Sequence, residues 1–129
     1  VDYIGKMAYE GSDEEYKVNT ANSAELLKLA IGQNVPVIGL HQMSRGVESR
    51  TGDDAEPKNS DLRGSGHLEQ DATQIVFLHE VTKAKDSADG IGSIDLHMTK
   101  NRYGSLAVAP CRFNGRRTIF REIEYERQC

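Results

Sequence analysis

Asp2, Gln42, Lys100 and Arg102 each stand at or just beyond the carboxyl end of an apolar run, where open α/β sheets bind their ligands. Asp2 follows Val1 in an apolar opening, and an acid so placed suits a water-bridged Mg²⁺ contact in a nucleotide site. A turn or cap residue is an equally ordinary reading of it. Gln42 comes just after residues 35–40 (VPVIGL) and has the hydrogen-bonding groups to orient a water or sense a terminal phosphate. A plain structural hydrogen bond would use the same amide. Lys100 and Arg102 are separated by one residue, so an extended chain puts both on one face. Two fixed cations side by side clamp a phosphate that gains charge in a transition state; either one alone reads as solvated surface.

The loop that would hold such a phosphate is not in the sequence. Nothing fits G-x-x-x-x-G-K-[ST], whose backbone amides and lysine cradle the β- and γ-phosphates. Arg63-Gly64-Ser65-Gly66 is glycine-rich, so its amides can approach a phosphate closely. It is too short for the nucleotide motif and suits a DNA phosphate better.

The elements that must position these groups follow from periodicity. Residues 1–4 read as the end of a buried strand, and residues 9–20 as a polar, acidic loop. Leu26, Leu27, Ala30 and Ile31 recur at helical spacing, which predicts a helix over 23–33 with Asn22 or Ser23 as N-cap and Asn34 as its stop. The run at 35–40 predicts a parallel strand covered on both faces, with Pro36 near its start. Strand, helix and strand then make one right-handed crossover. Residues 41–66 form a long polar loop, 66–72 a short helix and 74–78 a strand. Ile94, Leu96 and Met98 alternate with Asp95 and His97 in the period of a half-exposed strand. Strands near 106–112 and 118–121 flank Asn114-Gly115, a hairpin signal. The fold class is α/β, parallel in its N-terminal half and antiparallel afterwards.

At 129 residues the chain is one domain, 37% hydrophobic and 28% charged. Its mean hydropathy is −0.59, and no apolar run approaches the ~20 residues of a membrane span. The net charge of −4 argues against a module that holds nucleic acid by bulk positive charge. Residues 105–129 are the net basic stretch, through Arg112, Arg116, Arg117, Arg121 and Arg127; solvated surface is the ordinary reading of most of them. Cys111 and Cys129 lack metal-ligand or disulfide spacing, which fits a reducing, cytoplasmic compartment. His41, His67, His79 and His97 show no metal-ligand spacing either. The abrupt apolar start, with no leader ahead of it, reads as a piece of something longer.

Residues 35–50 (VPVIGLHQMSRGVESR), 60–78 (SDLRGSGHLEQDATQIVFL), 97–104 (HMTKNRYG) and 113–120 (FNGRRTIF) resemble the C-terminal ATPase domain of bacterial replicative DNA helicases, the DnaB family. The string around Ser60–Ala72 is the most specific of the four. Residues 1–4 resemble that family's Walker B strand. The resemblance implies the C-terminal half of a RecA-like P-loop NTPase core spanning 1–129, from Walker B onward, with the Walker A half missing. It also implies an ATP- and Mg²⁺-dependent helicase that forms a homohexameric ring around single-stranded DNA, with a loader and primase as further partners and no membrane. By position, Asp2 would be the Walker B acid acting on Mg²⁺ through water, and Gln42 the link from the γ-phosphate to the DNA-facing loop. Arg63, Gly64 and Gly66 would lie in that loop; Gly64 stands where the family usually has Glu, leaving only its backbone to touch DNA. Lys100 and Arg102 would act in trans on the neighbouring subunit's ATP. Two alternatives are a RecA-like ATPase of recombination or phage replication, and a non-catalytic remnant that binds single-stranded DNA or caps a helicase ring.

Overall fold

A computed structural model describes residues 1–7, 14–44, 46–47, 50, 55–62 and 66–123. It divides into two units, Val1–Thr73 and Gln74–Cys129.

Helix α1 of the first unit spans Glu15–Gln33, eight residues longer at its start than the apolar spacing predicts. Glu14 is the N-cap, and Glu15 puts an acid in the first turn, where the helix dipole favours it. Asn22 and Ser23 are therefore mid-helix residues and not caps. Of residues 9–20, read as loop from their polarity, 15–20 are helical because the helix faces its own unit with a polar stripe, and 9–13 lie outside the described residues. Asn19, Asn22 and Ser23 are buried, whereas Leu27, Leu29 and Ile31 are exposed. The Asn22 carboxamide donates to the carbonyls of Ile4 (3.0 Å) and Met7 (3.1 Å), and the Ser23 hydroxyl to Asp71 (2.6 Å). Those acceptors are irregular backbone and a short-helix carboxylate, which apolar side chains would leave unsatisfied. Asn34 ends α1 as expected, in left-handed geometry (φ 51°), with the Val35 amide reaching back to Ala30 (3.1 Å).

Residues 1–4 and 35–40 form no regular strand. Val1 nevertheless donates to Ile38 (2.6 Å) and accepts from the Leu40 amide (2.9 Å), the bracket a parallel pair makes around one residue. The Ile4 amide adds one more bond, to the Leu40 carbonyl (2.9 Å), before Ile4–Lys6 turns into a 3-10 helix and the pairing ends. Nor is the 35–40 run covered on both faces: Val35, Ile38 and Leu40 are exposed. Helix α2, Gly66–Asp71, forms as expected and buries Leu68.

The second unit is a four-stranded antiparallel meander in the order β1-β2-β3-β4, with strands at Gln74–Thr82, Ile91–Asn101, Ala107–Asn114 and Ile119–Glu122. Ile75, Phe77, Ile94 and Cys111 are its buried strand residues of apolar type. The expected alternation in β2 breaks: Ile94 is buried, but so is His97, while Leu96 and Met98 are half-buried. The register explains it. His97 lies opposite Phe77, and the His79 ring packs edge-on against it at 5.4 Å, so aromatic neighbours cover the imidazole. Gly92 lies under the β1–β2 connection, where a Cβ would meet the Thr82 carbonyl at 2.3 Å and the Ala84 nitrogen at 2.6 Å. Asn114-Gly115 does open the β3–β4 turn, but the connection runs through four residues and puts Thr118 at φ 54°.

Replacing Asn22 by Ala should destabilise the chain by about 2 kcal/mol, since the Met7 carbonyl loses its side-chain donor and the buried Ile4 carbonyl is left with the Met7 amide alone. Thr118→Gly should stabilise it by about 1 kcal/mol by relieving a left-handed β-branched residue. Chemical denaturation of the two variants reads both changes.

Candidate functional site

Each unit carries part of the predicted residue set. In the first, Asp2 is exposed on the segment that hydrogen-bonds alongside 38–40. Gln42 is exposed just beyond Leu40. The next residue, Met43, forms an antiparallel bridge with Leu62, and the Ser44 amide donates to the Asp61 carbonyl (2.8 Å). Gln42 therefore stands one residue from a backbone bridge whose other side leads straight into Arg63. Arg63 and Gly64 lie outside the described residues; Gly66 is the exposed first residue of α2.

Asp61 fixes that bridge. Its side chain is only 1% exposed, and its carboxylate is gripped in bidentate fashion by the Arg50 guanidinium, with Nη1 at 3.0 Å from Oδ2 and Nη2 on Oδ1. The Lys58 amide donates to Oδ2 at 2.8 Å. Burial by itself pushes this carboxyl upward, but the Arg50 bonds and the Lys58 amide outweigh it and hold the group below the usual carboxylate range. Asn59 donates to Glu69 (3.1 Å), tying the 59–61 turn to α2. Neither Arg50 nor Asp61 carries any sequence signal of catalysis. The one clue to Asp61 is its place within the specific 60–72 string.

In the second unit Lys100 pairs with Ile75 near the end of β2 and is half-buried. Arg102 is exposed and already in the turn, so the two cations do not share one extended face as predicted. Asn101 makes the turn. Its side chain donates to the Ser105 carbonyl (3.1 Å) and accepts from the Tyr103 amide (3.3 Å) and from Gln74 Nε2 (3.2 Å). Such local bonding is what favours Asn in turns. Asn101 thus sets the direction in which the chain presents Arg102, a role the Lys-Asn-Arg order hides behind its two charges.

Among the described residues no group of three or more His, Cys, Asp or Glu side chains could hold a metal ion.

The family profile described as the DnaB-like helicase C terminal domain matches residues 1–122. The chain belongs to this family. As a DnaB-like C-terminal domain it is 37% identical over 116 residues to the replicative DNA helicase DnaB of Buchnera aphidicola subsp. Acyrthosiphon pisum (strain APS), covering 89% of this chain and 25% of that protein. Among solved structures, one described as an ATPase domain matches it with a TM-score of 0.76 at 32% identity, over 92% of this chain and 41% of that one. A DnaB-like replicative helicase, described together with its interactions with primase, matches with a TM-score of 0.69 at 33% identity, over 83% and 26%. The DnaB-like domain thus spans about a quarter of the length of the curated relatives it matches.

Asp61→Asn should destabilise the domain by about 2–3 kcal/mol, because it leaves the part-buried Arg50 charge without its counter-ion. The Asp61 carboxyl titrates lower folded than unfolded, so its contribution is complete above about pH 4 and lost as pH falls through the folded value. Urea denaturation from pH 7 to pH 3 should show a steeper acid loss in the unaltered chain than in Asp61→Asn.

Proposed function

We propose that this chain is the C-terminal portion of an ATP-dependent replicative DNA helicase, a motor that translocates on single-stranded DNA as a homohexameric ring. The observation that carries the reading is the family match across residues 1–122 to proteins named replicative DNA helicases. In fold it is the later half of a RecA-like core. The parallel backbone bonds of Val1 with 38–40, with α1 between the two segments, support this, as does the antiparallel meander that follows.

ATP, with Mg²⁺, supplies the phosphoryl bond whose hydrolysis drives the motor. Asp2 would hold the Mg²⁺ through its bound water, and the ion would offset the charge of the phosphates. Gln42 senses the terminal phosphate and passes its position through the Met43–Leu62 bridge to the loop containing Arg63, Gly64 and Gly66, which holds the DNA backbone. Because Asp61 holds Ser44, Arg50 and Lys58 to one point, a shift at residue 42 reaches Leu62 instead of being absorbed by slack chain. Lys100 and Arg102 project toward the ATP of the adjoining subunit and stabilise its developing charge. That division explains why the chain has clamping cations but no phosphate loop. An acidic chain suits it, since six copies around a channel need only a few cations each. The ring works in the cytoplasm and meets a loader and a primase; interaction with primase is named for one structural relative.

The test is a chimera in which this chain replaces the matching quarter of the Buchnera relative. Rings of Asp2→Asn alone or Arg102→Ala alone should be inactive. Mixed one to one, they should regain hydrolysis at about a quarter of their interfaces, where an intact Asp2 meets a neighbour's intact Arg102. Failure to regain any activity contradicts action in trans. Arg63→Ala should weaken single-stranded DNA binding and lower its salt slope by about 0.7; unchanged binding removes the loop assignment.

A further inference from the structure

The net basic C-terminal stretch, which the sequence leaves as ordinary surface, acquires an order in the second unit. Thr82, Ser93, Arg112 and Arg121 form one rung across the sheet, so two guanidinium-bearing residues face each other directly on β3 and β4. Both are exposed. Directly opposed residues have Cβ atoms about 5 Å apart, and like charges at that spacing oppose the pairing. The next rung holds them in place. Phe113 and Phe120 pair there, their rings 4.8 Å apart on the other face, and this stacking stops the strands from slipping to separate the arginines.

Both connections at this end of the sheet add cations. The β3–β4 turn contributes Arg116 and Arg117; the β1–β2 connection contributes Lys83 and Lys85 but also Asp86 and Asp89, so it is neutral overall, and all six are exposed. The connections are joined, since the Gly115 amide donates to the Gly90 carbonyl (3.0 Å) and the Arg116 side chain lies against Gly90. Lys83, Lys85, Arg112, Arg117 and Arg121 have no ion-pair partner among the described residues. Arg116 lies near Asp89, whose carboxylate is bonded first by Ser87 and by the Ile91 amide.

We propose that the β3–β4 hairpin is a second contact for single-stranded nucleic acid, with Arg112 and Arg121 taking backbone phosphates and Arg117 extending the track at the tip. A pre-aligned like-charge pair at an exposed edge is relieved when an anion bridges it, and guanidinium forks match phosphate geometry. Cations running from the rung into the β3–β4 turn suit successive charges of a polyanion better than one small ion. Phe120, 45% exposed on the edge strand, lies on the face opposite the arginines and takes no part in this phosphate track. The contact is separate from the Arg63 loop and stands whether or not the ring reading does.

Fluorescence anisotropy of labelled oligothymidylate against the 129-residue chain, over a salt series, tests this. Arg112→Gln/Arg121→Gln should weaken binding by about tenfold at low salt and reduce the salt slope by about 1.4, two single-strand phosphates' worth. Arg117→Gln, a turn residue outside the strand pairing, should reduce the slope by about 0.7. The double variant should melt no lower than the unaltered chain, because it removes a repulsion; weaker binding in a folded protein is then a lost contact. Unchanged affinity and slope in both variants overturn the proposal. So does labelled oligoglutamate binding as tightly as oligothymidylate, which marks an acidic-protein surface. Arg63→Ala, run in parallel, separates the two readings: loss confined to it overturns the hairpin contact and leaves the loop assignment standing.

Discussion

A buried carboxylate organises the part of this chain that lies between Gln42 and the start of α2. Asp61 accepts two bonds from Arg50 and one from the Lys58 amide, and its own carbonyl receives the Ser44 amide. Four stretches of an otherwise irregular region, around residues 44, 50, 58 and 61, are thereby held to one point. Buried ion pairs are weak contributors to net stability, since desolvation offsets much of their attraction. What such a pair supplies is position: a bidentate fork tolerates little rotation or translation. Gln42 and the root of the Arg63 loop inherit that precision through the Met43–Leu62 bridge.

The first unit follows the same pattern on a larger scale. Its helix is anchored by amide and hydroxyl groups in place of a hydrophobic stripe, with Asn22 closing off the carbonyls of Ile4 and Met7 and Ser23 holding Asp71. Polar anchoring fixes irregular backbone that apolar contact could cover but not satisfy. The residues so fixed flank both Asp2 and α2. The second unit uses regular pairing instead, and two of its turns rest on single residues: Asn101 shapes the one that carries Arg102, and Gly115 docks the one that carries Arg116 and Arg117.

Legibility in the sequence followed from how local each cause was. The antiparallel strands, the Asn34 stop and α2 were readable, because alternation, left-handed caps and turn residues act over a few positions. Asp2, Gln42, Lys100 and Arg102 stood out by type and by the family string. The early start of α1 was not readable, because its buried face is polar and periodicity sees only apolar residues. His97 was placed on the wrong side for a similar reason: the cover comes from Phe77 and His79 on another strand. Arg50–Asp61 and Arg112–Arg121 are pairs between distant positions, visible only once register or bonding brings them together.

On the proposed function, the Arg50–Asp61 pair transmits the state of Gln42 to the DNA loop instead of merely stabilising the fold. Removing both charges, Arg50→Met with Asp61→Asn, should leave stability within about 1–2 kcal/mol, since no charge is left unpaired and the Asn carbonyl still accepts from the Lys58 amide. The decisive measurement is ATP hydrolysis by the chimeric ring carrying this double change, with and without single-stranded DNA. A transmitting pair predicts that hydrolysis without DNA persists while its stimulation by DNA is lost. Full stimulation in a folded ring would contradict it.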